Sequence, residues 1–431
     1  MNKRRVLEAQ GFTSFLSSLL SILAGLLIGF LLLIAFNSQH AFNGMARMLT
    51  LGIDFSNRAQ IGAQILGKMG KVLYQAAPLL MTGLSVGFAF KTGLFNIGAS
   101  GQYTIGAACA IIAAIAFKLP WYACIIAAML GGAVWGAIPG LCKALFNVNE
   151  VITSIMFNWI GLFAVNLTLA NIPIVLANAW GASNMDRTAD IKKANPSAII
   201  PTLGLNKLFG SNYMNISIFL AIFIAIVIYI VLNKTTFGYE LKSCGANKNA
   251  SIYAGISAKR NIVLSMVIAG GLSGIAGGMS YLAGTVQYVL ERTLLPMGFD
   301  GIPVALLGTS HPLGTIFSAL FISYIKDGGN AMQPEFSTEN INIIISVIIY
   351  LAAFALLTRN LLSKALSRRD KLSKGNGAYK SAVSGSSEDE AQSADAVLRP
   401  DADTDEKTSA ANAPPDEDWQ IGASKGRQVD V

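Results

Sequence analysis

Charge is what this chain has least of. Only 13% of its 431 residues are Asp, Glu, Lys or Arg, against about 25% in an ordinary soluble domain. With 53% hydrophobic residues and a mean hydropathy of +0.52, the deficit excludes a water-soluble globular protein. Cysteine is also scarce. Cys109, Cys124, Cys142 and Cys244 show no CxxC spacing, so neither a disulfide framework nor a zinc site is implied. Three of them lie in apolar segments and read as small packing residues. His40 and His311 are the only histidines, too few for a His-based metal cluster. No metal site is expected.

What is abundant is long uncharged sequence. The run 14–36 carries no charge over 23 residues, roughly 35 Å as a helix and enough to cross the hydrocarbon. Asn2-Lys3-Arg4-Arg5 before it resembles the start of a signal peptide. The apolar run is too long for one, and no small-residue cleavage site follows cleanly. It reads as a retained first span behind a cytoplasmic segment 1–13. Further spans are expected near 72–90, 99–117, 121–145, 151–170, 214–232, 261–283, 298–308, 312–326 and 341–358. Gly308-Thr309-Ser310-His311-Pro312 breaks the apolar run 301–325 into two short antiparallel pieces. The predicted fold is an all-α, polytopic membrane helix bundle with about ten transmembrane segments, some short or broken.

Charge sign orients it. Residues 375–431 hold 12 acidic and 5 basic residues, a net of −7, so the remainder carries +15. The basic residues flank spans instead of forming a face, which fits the positive-inside rule and not nucleic-acid binding. Lys91, Lys143, Lys234, Lys242, Lys248, Lys259, Arg260 and the cluster from Arg359 to Lys374 fall on one side with Lys3, Arg4 and Arg5. Both termini are therefore expected in the cytoplasm of a plasma-membrane protein. Segment 37–71 is assigned outside, although Arg47, Arg58, Lys68 and Lys71 weigh against that. The longest outer loop is 171–213. The tail 359–431, basic and then acidic, is expected to be disordered.

Four strings stand out. Gly93-Leu94-Phe95-Asn96-Ile97-Gly98-Ala99-Ser100-Gly101-Gln102 places three glycines and three polar residues where a span would begin. Backbone freed from a helix survives at membrane depth only inside protein or beside water. Asn96 and Gln102 are thus candidates for the wall of a path, with Asn96 alternatively a cap for the next helix. In 149–160, Glu150 suits a helix N-terminus. Ser154, Phe157, Asn158 and Gly161 share one face of that helix. Asn158 in an apolar helix needs a partner, supplied by a substrate or by a neighbouring helix. In 238–256, Asn247 can cap a short helix ending at Gly255 and exposing Ile252 and Tyr253. That suits a soluble partner; an amphipathic connector on the membrane is the alternative. In 298–314, Asp300 opens a short helix, as a cap or as an acid facing a path. Phe299 beside it offers a ring for stacking.

Three other patterns are weighed. Gly270, Gly274 and Gly278 repeat every four residues, the spacing that lets two membrane helices approach closely. Gly62 to Lys68 matches part of a phosphate-binding loop, but Met69 stands where Ser or Thr must hold magnesium. No ATPase site, and no catalytic residue, is expected in this chain. Gly271-Leu272-Ser273-Gly274 resembles the motif of intramembrane serine proteases, with His311 as a base. Ser273 lies 12 residues into its span, roughly 18 Å from the inner-side turn that holds His311, so the pair fails. A secondary transporter would need ionisable groups deep in spans, whereas Glu150, Glu240 and Asp300 fall at span ends.

Together, the four strings resemble the membrane permease subunit of bacterial ABC importers of simple sugars and nucleosides, the nucleoside branch more than the ribose branch. The resemblance covers about 70–358, and the permease domain is placed at 72–358. It implies a helical permease working as a pair, identical or not, by alternating access. It further implies an extracytoplasmic substrate-binding lipoprotein and a separate ATP-binding subunit carrying ATP and magnesium. No cofactor is expected in this chain. The loop 234–260 resembles the coupling loop for the ATP-binding subunit, through Glu240, Lys242, Gly245, Asn247, Ile252, Tyr253 and Gly255. Asn96, Gln102, Ser154, Asn158, Phe299 and Asp300 are implied as the substrate pathway, and Gly270, Gly274 and Gly278 as packing positions.

Overall fold

The computed structural model describes residues 3–56, 60–183 and 186–354. The tail 359–431 and its basic cluster lie outside the described residues. The chain begins with α1 (Lys3–Phe36), α2 (Ala41–Leu49) and α3 (Ile61–Lys91). It continues with α4 (Ala99–Ile115), α5 (Trp121–Phe146) and α6 (Glu150–Ala170). Among its described residues, a long connection holds the short α7 (Ile191–Ala194), α8 (Leu205–Phe209) and three single 3₁₀ turns. Then follow α9 (Ser217–Lys234), α10 (Thr236–Ala246), α11 (Lys248–Tyr253) and α12 (Ala258–Leu282). The last three are α13 (Pro296–Leu307), α14 (Pro312–Asn330) and α15 (Thr338–Ala353). The described residues show two isolated β-bridges and no named strand.

Six of these helices, α1, α3, α5, α6, α9 and α12, are long and apolar enough to cross a membrane. α4, α13 and α15 are shorter apolar helices, and α14 has 19 residues. This is a multi-pass helical membrane bundle. One boundary differs from expectation. Segment 37–71 is not simply an external connection: it contains α2, and α3 already begins at Ile61. Its two lysines mask an unbroken helical stretch with no proline before Pro78.

The centre is built on absent side chains. α12 lies against α5 and α4, with Gly270 and Gly274 facing Gly132 and Gly136 across the α5 crossing. A Cβ added at Gly136 would stand 2.9 Å from the Gly270 Cα, and one at Gly278 would stand 2.9 Å from the Ala128 Cβ. On the other side, Gly106 of α4 meets the backbone of Gly274. In lipid, where tails are as apolar as leucine, such backbone contact is a main source of helix association.

α13 starts inside the bundle. Pro296 occupies its first turn, where a missing N–H costs nothing. Gly298 sits on the backbone of Ala99 and Ser100, and Gly301 on Thr82 of α3. Thr82 is nine residues from the end of α3, roughly 14 Å at 1.5 Å per residue. α13 is therefore a half-helix whose N-terminus meets that of α4 deep in the bundle.

At the far end from α10 and α11, the connections 171–216 and 283–295 are stapled together. Thr188 N donates to Tyr288 O at 2.9 Å and Leu290 N to Asp186 O at 2.7 Å. The Tyr288 hydroxyl donates to Asn166 Oδ1 at 3.1 Å. Burial, and then the nearby Glu291, raise the Tyr288 phenol well above its ordinary pKa, so it stays a neutral donor. Lys118 donates to Ala194 O at 2.7 Å and lies 4.6 Å over the Trp180 ring.

Candidate coupling face and translocation path

The string 93–102 begins as a helix stop. Gly93 has φ +71°, Leu94 N donates to Ala89 O and Gly93 N to Phe90 O, both at 3.1 Å. This pair of hydrogen bonds with a left-handed glycine closes α3 and lets the chain turn back. Asn96 is fully buried. Its amide nitrogen donates to Ser85 Oγ at 3.0 Å and to Gln102 Oε1 at 2.8 Å, and its oxygen accepts from Gln102 Nε2 at 3.1 Å. Ser85 Oγ in turn donates to Ala269 O at 2.6 Å and accepts from Ser273 Oγ at 2.8 Å. Asn96 thus ties α3, α4 and α12 together and does not cap α4, whose N-cap position is Gly98.

Asn158 completes the string from α6. Its Oδ1 accepts from Gly101 N at 2.8 Å and its Nδ2 donates to Ile97 O at 3.1 Å. The partner that an asparagine in an apolar helix requires is therefore the irregular backbone of 97–101. Ser154, one turn earlier, is fully buried, and its Oγ has no partner among the described residues. In this conformation Asn96, Gln102, Ser154 and Asn158 all lie in the packed interior. Asn149 caps α6 by accepting from Val151 N at 2.9 Å, and Glu150 pairs with Lys143 at 3.0 Å.

Two rival sites dissolve on the same geometry. The Ser273 hydroxyl is spent on Ser85, and His311 stands before α14 with its ring 5.5 Å from that of Tyr229, so they form no nucleophile–base pair. Residues 62–68 are helical within α3, where no loop can wrap a phosphate.

The loop 234–260 holds two helices where the sequence suggested one. Asn247 ends α10 and caps α11, accepting from Ala250 N at 3.1 Å, and Gly255 turns the chain with φ +80°. In the sequence of α10, Gly238, Gly245 and the polar residues hide any apolar period. Leu241 and Cys244 nevertheless bury one side of it. Glu240 accepts from Asn261 of α12 at 3.1 Å, and Lys242 donates to Asn233 at 3.3 Å. Gly245 lies on the end of α3: a Cβ there would stand 2.5 Å from Lys91 O and 2.9 Å from Gly93 N. Beyond this seat, Tyr253 is 94% exposed, Tyr239 68% and Ile252 53%. An apolar, aromatic face thus projects from a base fastened to the first glycine of the string.

Asp300 has a different role from a cap. Leu295 holds the N-cap position of α13, and Asp300, in its second turn, forms an ion pair with Lys326 of α14. Phe299 beside it is half-buried. The pair lines a cleft of about 830 Å³ between α13, α14 and α15. A second pair, Lys71–Asp327, links α3 to α14 with Asp327 buried. Of the three acids expected at span ends, Asp300 instead sits in the second turn of α13. Lys326 and Asp327 lie near the end of α14, which runs to Asn330.

Comparison with known proteins agrees. Residues 68–353 match the family described as the permease component of the branched-chain amino acid transport system. The chain belongs to this permease family. A guanosine ABC transporter permease protein of Bacillus subtilis (strain 168) is 33% identical over 302 residues, 69% of this permease and 84% of that protein. A nucleoside ABC transporter permease protein of Lactococcus lactis subsp. cremoris (strain MG1363) is 34% identical over 356 residues, 80% and 93% of the two chains. A glucose ABC transporter permease protein of Haloferax volcanii is 28% identical over 347 residues, 78% and 85%. No solved structure matches. The permease is a transport subunit and not itself an enzyme, and family membership implies an ATP-binding subunit and a substrate-binding protein as partners.

Proposed function

We propose that this permease is one of a pair forming the membrane core of an ATP-driven nucleoside importer. It sits in the plasma membrane with both termini in the cytoplasm. ATP and magnesium act on a separate subunit docked at α10 and α11, and an extracytoplasmic lipoprotein delivers the solute. The observation that carries this reading is the seat of Gly245 on Lys91 and Gly93. A displacement of the exposed α10–α11 face can pass through this backbone contact to the string 93–102 and so to α4, α6 and α12. Alternating access requires such a link between a soluble motor and a membrane path. The nucleoside assignment rests on the two relatives above 30% identity.

The test is uptake of radiolabelled guanosine and of glucose by cells expressing the permease with its neighbouring transport genes. Guanosine should accumulate and glucose should not. Ile252→Ala with Tyr253→Ala, at exposed positions where folding costs are usually within about 0.5 kcal/mol, should release the ATP-binding subunit on purification and abolish uptake at unchanged permease level. Retention of that subunit with full uptake would remove α10–α11 as the coupling face.

A further inference from the structure

α15 has two unlike faces. Ile341, Ile344, Ile345, Ile348 and Ala352 are buried, with Ile348 and Ile344 against Gly25 and Gly29 of α1. Asn342, Ser346 and Tyr350, four residues apart and so stacked on one side, are exposed. That side faces the cleft of about 830 Å³ that also holds the Asp300–Lys326 pair and Asn330. The remaining lining is aliphatic or aromatic.

Such a surface does not belong in lipid. Ionisable groups within membrane helices face the bundle interior or a water-filled cavity, and unpaired polar groups are costly in hydrocarbon. Lys326 engages Asp300 Oδ2, which leaves Oδ1 without a protein partner among the described residues. The side chains of Asn330, Asn342, Ser346 and Tyr350 likewise make no hydrogen bond there. One carboxylate oxygen, an ammonium, two amides, a hydroxyl and a phenol thus converge on one volume with open valences. That volume lies within the range of small-molecule sites, about 300–1,000 Å³.

We propose that this cleft binds the solute on its way through, with Asp300 and Lys326 holding the hydroxyls of its sugar ring and Tyr350 against its base. The assignment rests on the nucleoside reading above and names the part of the solute recognised. An ionised carboxylate beside an ammonium accepts from one hydroxyl of a vicinal diol while the ammonium donates to the other, so two adjacent hydroxyls fit where one does not. Asn342 and Ser346 extend the polar side toward the ring edge. The aliphatic wall suits the apolar faces of sugar and base.

The experiment compares guanosine with 2′,3′-dideoxyguanosine as transported solutes in the complete importer, using wild type, Asp300→Asn and Ser346→Ala. Discrimination imposed by the binding protein is common to all three and cancels. Wild type should prefer guanosine. Asp300→Asn should shrink that preference about tenfold, the size of one hydrogen bond to a charged group, with the complex still intact on purification. If Asp300→Asn fails to assemble, Ser346→Ala at its exposed position decides, with a smaller loss of preference expected. An equal fall for both solutes would make the ion pair a structural or gating element and overturn the proposal. So would an unchanged preference. If wild type moves no nucleoside at all, it is the importer reading that fails, and this one with it.

Discussion

Asn158 shows how one side chain holds irregular backbone inside a membrane bundle. Its amide has one acceptor and one donor face, and both are spent on the string, at Gly101 N and Ile97 O. Leucine has similar bulk but neither function. Asn158→Leu should therefore leave the buried Gly101 N–H and the part-buried Ile97 carbonyl unpaired, at up to about 1–3 kcal/mol each. The expected outcome is a lower melting midpoint in detergent together with reduced uptake. Uptake lost at an unchanged midpoint would mean that Asn158 acts on solute and not on the backbone. The need for a partner was plain from an asparagine in an apolar helix. Which partner it has was not, because Ile97 lies 61 residues away in the chain.

At the scale of elements, the contact between α10 and the end of α3 is the most consequential. A Cβ at Gly245 would stand 2.5 Å from Lys91 O and 2.9 Å from Gly93 N, and one at Gly93 would stand 3.1 Å from the Gly245 Cα. Gly93 also needs its positive φ to close α3. Gly245→Val should hold α10 off its seat at a cost of about 1–3 kcal/mol, typical of overpacking, which biases the docked arrangement by roughly ten- to a hundredfold. ATP hydrolysis by the purified complex should persist while uptake falls. Uptake that keeps pace with hydrolysis would show that motion reaches the path by another route. α13 makes a related point. Its brevity was legible from the break at 308–312, but its starting depth was set by Gly298 and Gly301, which let it enter against Ser100 and Thr82.

For the whole molecule, the orientation is open to direct test. The exposed α10–α11 face and the stapled connections 171–216 lie at opposite ends of the bundle. With the four native cysteines replaced, Tyr253→Cys should react with a membrane-impermeant thiol reagent only in inside-out vesicles. Leu203→Cys, at a position 78% exposed, should react only from outside in intact cells. The reverse pattern would invert the topology.

By itself the sequence determined the class: low charge, uncharged runs of bilayer length and basic flanks admit little besides a helical membrane bundle. The glycine spacing of α12 and the capping pattern at Asn247 were equally local, since each depends on residues within a turn or two. Tertiary structure decided what local pattern cannot reach. It matched Gly270 and Gly274 to Gly132 and Gly136, and gave Asn96 and Asn158 their partners. It also brought Asp300 of one helix to Lys326 of the next, turning an apparent cap into half of an ion pair. The physical reason is common to all three. A helix states its own period in its sequence, but hydrogen bonds and ion pairs between helices are formed by residues that only packing makes neighbours.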